Sequence, residues 1–302
     1  MADEDRVKFF TLLGTHPNTA ALKSGKLRSA LVDFDFADVK VSNTEFKPLV
    51  REHKYDLSEL AIVTYLQAYE AKVPYILLPA TVVGRNQHHT IFYNAERGPL
   101  NPRDLAGKRV GVRAYTQTTG AWVRGFLSED FGVDLERVHW VTFEDAHLAN
   151  YHDPSFVERA PAGKAIKQML IDRELDAAIL GDHQEEGPLK HLFPDHAERG
   201  RRWAKTHGGV PINHLMIIRK SIADDHPVLV KEVYRLLKES RAAANAIYDS
   251  GEADPLRFGI AKVRQSFDKI VDYALSQKLI TQRISADDIF SRARDVLGTA
   301  AE

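Results

Sequence analysis

The fold is decided by the stretch Asp104-Leu105-Ala106-Gly107-Lys108-Arg109-Val110-Gly111-Val112. A helical turn and a glycine lead into an apolar run, which predicts a strand over Arg109–Arg113. A polar turn, Tyr115–Gly120, then opens a helix that ends at Gly132, and its apolar residues recur at helical spacing. Val138–Phe143 follows as the next strand. A strand, a helix and a second strand in this order are typical of a parallel sheet in an α/β protein.

The same alternation of strands and helices continues on both sides of this unit. The predicted elements before it are the strand Val7–Leu13, a helix near Asn43–His53 that begins with a capping box at Ser42–Glu45, an amphipathic helix over Leu57–Tyr69 and the strand Tyr75–Pro79. Those after it are the strands Asp176–Leu180 and His214–Ile218 and the helices from Pro227 to about Tyr248, Phe258–Ser276 and Ala286–Leu297. The C-terminal region is therefore expected to be helical.

Size and composition describe an ordinary globular protein that is large enough for two domains. The chain has 302 residues, of which 44% are hydrophobic and 27% charged, and single domains usually span roughly 100–200 residues. Its formal charge of -1 provides no basic field for nucleic acid or an anionic membrane. The absence of cysteine excludes disulfides, thiolate metal sites and cysteine nucleophiles. We expect a small-molecule ligand, no nucleic acid and no membrane as partners, and a homo-oligomer stays open.

The beginning of the chain bears on its location. Its first residues are charged, and the short apolar patch at Val7–Leu13 is interrupted by Lys8. A secretory signal peptide needs a longer apolar stretch and a cleavage site of small residues. No run approaches the roughly 20 apolar residues that cross a bilayer. The sequence therefore predicts a cytoplasmic protein.

Three stretches together resemble the periplasmic-binding-protein type II fold: the one quoted first, Phe131-Gly132-Val133-Asp134 and Glu174-Leu175-Asp176-Ala177-Ala178. This resemblance implies an α/β protein of two lobes, each a mostly parallel sheet flanked by helices, with a helical C-terminus. In that fold the chain builds part of one lobe, crosses to the other and returns. The predicted lobes are residues 1–98 with 208–302 and residues 99–207, with a ligand cleft between them.

A closer resemblance is to the 4,5-dihydroxyphthalate decarboxylase family. It rests on Phe46-Lys47-Pro48-Leu49-Val50-Arg51-Glu52, Arg85-Asn86-Gln87-His88-His89, Val112-Arg113-Ala114-Tyr115-Thr116-Gln117-Thr118-Thr119-Gly120 and Trp140-Val141-Thr142-Phe143-Glu144-Asp145-Ala146-His147. The resemblance implies a carboxy-lyase that removes CO2 from a small hydroxylated aromatic dicarboxylate in phthalate breakdown. It does not name the catalytic residues, so their roles are argued from the chemistry that such a reaction needs.

An anchor for the substrate carboxylate is expected in the turn that follows the predicted strand Arg109–Arg113. Arg113 ends its strand, where α/β folds tend to present ligand groups, and a guanidinium matches a carboxylate bidentately. Thr116, Thr118 and Thr119 precede a helix, so their hydroxyls and the backbone amides can hold an anion. A salt bridge for Arg113 and simple helix capping for one threonine are the alternative interpretations.

Histidines are the natural proton donors for the ring carbon, because they titrate near neutral pH. His88 and His89 follow Arg85, a further candidate for substrate binding, on the route between the predicted lobes. Adjacent residues of a strand point to opposite faces, so one of the two histidines is expected in the cleft. Hydrogen bonding at a hinge is the alternative. His16 also follows a strand, but the Pro17-Asn18 turn explains its polarity equally well.

A second acid–base cluster follows Val138–Phe143. Glu144 and His147 are candidate catalytic residues, and Asp145, Asp182 and His183 are candidate binding residues, because all follow predicted strand ends. Capping is the alternative for Asp145. No tight metal-ligand spacing such as HExxH is present, so no metal and no organic cofactor is expected, with a divalent ion as the minority alternative.

Three other functions compete with the lyase. A solute-binding protein for an aromatic or related carboxylate is the main alternative, since the fold alone supports it. An effector-sensing part of a regulator would ordinarily carry a DNA-binding segment, and none is visible. The thiamine-pyrimidine synthases of this fold are similar only in general, and their cysteine-rich motif cannot exist in this chain.

Overall fold

The computed structural model describes residues 6–244 and 253–302. Within these ranges the chain forms two compact units. The first comprises Met1–Arg85, His207–Lys269 and Ile284–Glu302, and the second comprises Asn86–Thr206 and Ile270–Arg283. No helix in the part of the chain that the model describes is both long and apolar enough to cross a membrane.

Strands and helices alternate along most of the chain. The strands are β1 Val7–Leu12, β2 Val32–Phe36, β3 Leu57–Ala61, β4 Tyr75–Gly84, β5 Ile91–Asn94, β6 Arg109–Val112, β7 His139–Thr142, β8 Val157–Arg159, β9 Ala177–Ile179, β10 Leu189–His191 and β11 Ile212–Arg219. The α-helices are α1 Ala20–Lys23, α2 Phe46–Glu52, α3 Ile62–Glu70, α4 Thr118–Phe131, α5 Ile166–Ile171, α6 His196–Thr206, α7 Lys220–Asp225, α8 Pro227–Ala243, α9 Ile260–Ser276, α10 Ala286–Ile289 and α11 Ser291–Leu297. The predicted helical C-terminus is present, and the predicted end of α8 at Tyr248 lies outside the described residues.

The sheet of the first unit has the strand order β2-β1-β3-β11-β4. β1 pairs in parallel with β2 and β3, whereas β11 pairs antiparallel with β3 and β4. β2, β1, β3 and β4 run in one direction, as predicted for a mostly parallel sheet, and β11 enters between β3 and β4 in the opposite direction. One consequence is that the start of β11 lies at the same edge as the carboxyl ends of β1 and β3.

The sheet of the second unit has the order β10-β5-β9-β6-β7-β8. β9, β6, β7 and β8 run parallel, and β5 pairs antiparallel with β9 and β10. The predicted strand–helix–strand unit is confirmed as β6, α4 and β7. The helix ends as predicted at Gly132, whose φ of 67° is in the left-handed region that glycine adopts without strain.

The two units differ in extent from the predicted lobes. Residues 86–98 belong to the second unit because β5 pairs with β9 and β10. Residues 270–283 also belong there, because Tyr273 packs edge-on against Trp122 and Gln277 bonds to α4. A Cβ at Gly125 would lie 2.1 Å from the Tyr273 ring, so only glycine allows this close approach. The sequence had assigned both segments to the first lobe.

The segment Leu57–Tyr69 is not the single helix that was predicted. Leu57–Ala61 is strand β3, and the helix α3 starts only at Ile62. All five residues of β3 are buried, which is typical of a central strand covered on both faces. A strand of this kind has a nearly continuous apolar run, and such a run does not distinguish a strand from a buried helix. The capping box is also absent, because the Ser42 side chain makes no capping bond and Glu45 accepts from Tyr55 instead.

Candidate functional site

A buried carboxylate lies at the carboxyl edge of the first sheet. Glu59 is the third residue of β3, and its side chain is 0% exposed. Leu12 of β1 pairs with Ser58, so the turn that follows β1 passes beside Glu59. Its first glycine, Gly14, donates its backbone N–H to Glu59 Oε1 at 2.8 Å. Ligands of open α/β sheets bind beyond the carboxyl ends of parallel strands, and the turn after β1 that contacts Glu59 lies at this edge.

Two imidazoles contact the other oxygen of this carboxylate. His16 Nε2 lies 3.2 Å from Glu59 Oε2, and His214 Nδ1 lies 3.1 Å from the same atom. His16 comes from the turn after β1, and His214 is the third residue of β11. β11 starts at this edge because it runs antiparallel to β3. The side chains of His16 and His214 are 31% and 18% exposed. Both rings therefore join a buried carboxylate to the surface of the first unit.

The local backbone is built for this contact. Thr19 Oγ1 accepts the N–H of His16 at 2.9 Å and donates to the carbonyl of Gly14 at 2.7 Å, which holds the turn closed. A Cβ at Gly14 would lie 2.6 Å from His16 Nε2 and 2.8 Å from Glu59 Oε1. Any residue other than glycine would therefore separate the imidazole from the carboxylate. On the other side, the ring of His214 packs edge-on against Phe46 with centroids 5.3 Å apart.

The charge of this cluster follows from its hydrogen bonds. Burial alone would raise the pKa of Glu59, but hydrogen bonds and Coulombic attraction from His16 and His214 hold that pKa well below its ordinary value. Glu59 is thus a carboxylate at neutral pH. A buried carboxylate fixes the orientation of an imidazole that contacts it, as the acid does in hydrolytic triads. The cluster of Glu59, His16 and His214 can therefore hold a proton and transfer it to a ligand.

The sequence missed two of these three residues and set the third aside. Glu59 lies within the stretch that is predicted as a helix, and the sequence around His214 indicates only that a strand starts there. His16 was noticed, but its turn offered a structural explanation. One signal was available: Glu59 is a charged residue within the apolar run Leu57–Val63, and a glutamate is almost never buried unless it is paired.

His88, a predicted catalytic residue, lies in the aromatic core of the second unit. Its side chain is 1% exposed, and its ring stacks on Phe126 with centroids 4.0 Å apart and meets Phe193 edge-on. Within the described residues, neither ring nitrogen has a hydrogen-bond partner. Burial, reinforced by the charge of Arg199, lowers its pKa to about 3. Its catalytic role stays a prediction, and this environment favours a neutral packing residue.

Other predicted residues of the second unit form pairs. His89 Nε2 lies 2.8 Å from Asp182 Oδ1, so two candidates from distant parts of the sequence meet. Arg113 Nη1 donates to Glu144 Oε2 at 3.1 Å, which joins two more. The remaining candidates are placed as follows: Asp145 accepts from Arg159 at 2.6 Å, His183 Nδ1 contacts the carbonyl of Leu180 at 2.6 Å, and His147 and Arg85 are partly buried. Burial lowers the pKa of Arg85, which belongs to the first unit.

The predicted anion-binding turn lies over a buried cation. Thr116, Thr118 and Thr119 are all buried, and the last two open α4. Beneath them Arg124 donates from Nη2 to the carbonyl of Tyr115 at 2.5 Å and from Nε to Gln277 Oε1 at 2.8 Å. Its guanidinium lies 4.0 Å from the centroid of the Tyr115 ring. A positive charge under a helix N-terminus favours an anion at that turn.

Among residues 6–244 and 253–302, no group of three or more histidine, cysteine, aspartate and glutamate side chains is placed so that it could hold a metal ion.

Comparison of the sequence with known proteins finds similarity to two decarboxylases, as the motifs predicted. The chain is 30% identical over 214 residues to a 4,5-dihydroxyphthalate decarboxylase of Comamonas testosteroni, covering 64% of this chain and 63% of that protein. It is 34% identical over 137 residues to a 4,5-dihydroxyphthalate decarboxylase of Pseudomonas putida, covering 43% of this chain and 53% of that protein. The matches thus span less than two thirds of either relative. No family model matches the chain.

Comparison with solved structures confirms the predicted periplasmic-binding-protein-like fold. The periplasmic aliphatic sulphonate binding protein of Escherichia coli superposes with a TM-score of 0.61 at 12% identity, covering 96% of this chain and 92% of that one. The alkanesulfonate-binding protein of Xanthomonas axonopodis pv. citri gives a TM-score of 0.55 at 13% identity, covering 96% and 99%. At such low identity these likenesses concern the fold alone.

Proposed function

We propose that this protein is a carboxy-lyase that converts 4,5-dihydroxyphthalate to 3,4-dihydroxybenzoate and CO2. The observation that carries the proposal is the buried Glu59 carboxylate between two partly exposed imidazoles, a proton-transfer group of the kind that such a reaction requires. The names of the two similar decarboxylases supply the substrate class. The substrate is a small aromatic carboxylate, and no organic cofactor takes part.

The reaction replaces one carboxylate of the ring by a proton. The bond between the ring carbon and the carboxylate carbon breaks, CO2 leaves without that electron pair, and the pair forms the new bond from carbon to hydrogen. The phenol para to the leaving group supplies electron density to the ring carbon that is protonated. The protein must therefore bring an acid to that carbon and must hold the remaining carboxylate.

In our proposal an imidazolium of the Glu59 cluster is the acid. His16 and His214 each direct one ring nitrogen to Glu59, which leaves His16 Nδ1 and His214 Nε2 as the atoms that can deliver the proton. Because the pKa of Glu59 is lowered, its negative charge persists across the neutral range, so the carboxylate can orient both rings throughout that range. After the proton is transferred, the same carboxylate assists recovery of a proton from water.

Carboxylate binding by the second unit is a separate part of the proposal. Arg113 is paired with Glu144, and a substrate carboxylate would compete with that acid for the guanidinium. Thr116, Thr118 and Thr119 contribute hydroxyls above the charge of Arg124. These assignments rest on residue chemistry, and the cytoplasmic location remains a prediction from the sequence.

The test is turnover by the purified protein. We expect 4,5-dihydroxyphthalate to release CO2 and to give 3,4-dihydroxybenzoate on chromatography, with one deuteron on the ring when the reaction runs in D2O. General acid catalysis contributes about 10²- to 10⁴-fold to a rate, so Glu59→Gln should lower kcat by about 100-fold or more. One of His16→Asn and His214→Asn, the variant that removes the proton donor, should lower kcat by a similar factor. The matched control is His139→Asn, which removes an exposed histidine of the second unit and should leave kcat unchanged.

Two results would count against this assignment. If His16→Asn and His214→Asn both retain wild-type kcat, the cluster is not the proton donor. If the wild-type protein binds 4,5-dihydroxyphthalate but releases no CO2, the alternative function is favoured, that of a solute-binding protein for an aromatic or related carboxylate. The fold shared with the two sulphonate-binding proteins is the observation that keeps this alternative in view.

A further inference from the structure

A cavity of about 310 Å³ lies in the first unit, beside the edge strand β2. Its apolar wall includes Phe34 and Phe36, alternate residues of β2 whose side chains share one face of the strand. Their rings stack with centroids 5.6 Å apart and an interplanar angle of 17°. Small-molecule sites usually enclose about 300–1,000 Å³, so this cavity has room for a ligand with a single ring.

The charged residues of the cavity are mostly cations. Arg6, Lys23 and Arg28 line it together with one acid, Asp33, which pairs with Arg6 at 3.8 Å. Lys23 Nζ donates to the carbonyl of Leu13 at 2.5 Å, and Arg28 Nε donates to the carbonyl of Gly25 at 3.2 Å. Within the described residues, neither Lys23 nor Arg28 forms an ion pair with a carboxylate. Two cations that have no acidic partner among the described residues therefore line one small cavity with two phenyl rings, and Lys23 Nζ lies 5.4 Å from the centroid of the Phe36 ring.

We propose that this cavity is a second ligand site and that it binds a small aromatic carboxylate. Lys23 and Arg28 bind the carboxylate, and the ring packs against Phe34 and Phe36. An inorganic anion would use the cations but not the phenyl rings, and an apolar ligand would use the rings but not the positive charges. The cavity is not lined by any residue of the Glu59 cluster, so it is distinct from the candidate active site.

Lys23 connects the two sites. Its ammonium bonds to the carbonyl of Leu13, and the next residue, Gly14, donates to Glu59. Burial lowers the pKa of Lys23, and the negative charge of Glu59 opposes that effect. A carboxylate in the cavity would draw the ammonium from Leu13. If the proposed function holds, 3,4-dihydroxybenzoate should therefore inhibit turnover in a manner that is not purely competitive.

The test measures binding directly, with 3,4-dihydroxybenzoate as the probe and calorimetry of the full chain as the method. We expect two binding events in the wild-type protein. Arg28→Gln removes one charge-assisted bond and Phe34→Ala removes half of the ring stack, so each should weaken one event by about tenfold or more and leave the other intact. Lys26→Gln is the matched control, since Lys26 lies in the same loop and does not line the cavity.

The outcomes separate this proposal from the proposed function. If Arg28→Gln and Phe34→Ala leave every binding event of the probe unchanged, the second site is overturned. Inorganic phosphate and cyclohexanecarboxylate should differ in how strongly they compete with the probe. Equal competition by the two would also overturn the second site, because the phenyl rings would then contribute nothing to binding. The wild-type protein could bind the probe in an event that both cavity variants lose, and yet release no CO2 from 4,5-dihydroxyphthalate. That result would support the second site and refute the proposed enzyme.

Discussion

Replacing His88 by phenylalanine should retain activity and alter how stability depends on pH. In the folded protein the pKa of His88 is lowered from 6.5 to about 3 by burial and by the charge of Arg199. Below pH 6.5 the unfolded chain therefore binds a proton that the folded chain does not, and stability is lost as pH falls toward 3. At pH 5 the solution is roughly 1.5 pH units below the ordinary histidine pKa of 6.5. Going from pH 7 to pH 5 therefore lowers the free energy of unfolding by about 2 kcal/mol.

The phenylalanine variant cannot show this loss, because it has no proton to bind. Its ring preserves the stack on Phe126, and any cost of the added ring atom is the same at both pH values and cancels in the difference. Urea denaturation of wild type, His88→Phe and the exposed-site control His139→Phe at pH 7 and pH 5 gives the comparison. We expect the wild type and the control to lose about 2 kcal/mol more than His88→Phe.

The same variant decides between two roles for His88. Full turnover of 4,5-dihydroxyphthalate by His88→Phe, together with the flattened pH dependence, would identify a packing residue. An equal loss of stability in all three proteins would refute the reasoning from burial. Loss of turnover in a variant that unfolds normally would instead support the catalytic role predicted from the sequence.

Four further predictions concern packing, acid stability, substrate binding and metal dependence. Gly125→Ala should destabilise the protein by about 1–3 kcal/mol in urea denaturation, because its Cβ would overlap the Tyr273 ring, and unchanged stability would contradict the close packing. Glu59→Gln should weaken the loss of stability as pH falls below about 4.3, since a carboxylate with a lowered pKa stabilises the fold above its ordinary pKa and loses that effect in acid. Arg113→Ala should raise KM by about tenfold or more, whereas Arg159→Ala, which removes another paired arginine of the second unit, should leave KM unchanged. Finally, turnover should survive exhaustive chelation, and recovery with a single divalent ion after a loss would establish a metal requirement.

Much of the fold could be predicted from local signals. Gly132 and the spacing of apolar residues defined α4, and the apolar runs on either side defined β6 and β7. The sequence could not reveal that β11 inserts antiparallel beside β3, because strand order depends on contacts between residues far apart in the chain. It also could not assign residues 270–283 to the second unit, since that helix has a regular pattern throughout and the division depends on what each half touches.

The candidate site was harder to predict than the fold. The expectation that functional residues follow strand ends points to His16. It also points to residues of exposed ion pairs, such as Asp145, which pairs with Arg159. Glu59 lies within a strand rather than after one, so this expectation does not point to it. His214 reaches the same edge only because its strand runs the other way. The most informative feature, a fully buried carboxylate with two imidazole partners, is a property of three separate segments and is visible only when they are assembled.

The bond from Arg124 to Gln277 has a consequence for the synthesis of the protein. These two residues are 153 positions apart, so a ribosome makes α4 long before it makes the side chain that accepts from the arginine. Gln277 also donates to the carbonyl of Ala121, so the late segment completes two bonds of the helix at once. During that interval the nascent second unit lacks one of the two acceptors of the Arg124 guanidinium, and Trp122 lacks the Tyr273 ring that packs against it. The second unit therefore finishes folding only after most of the first has been translated, and chaperones that protect unfinished domains would act in that interval.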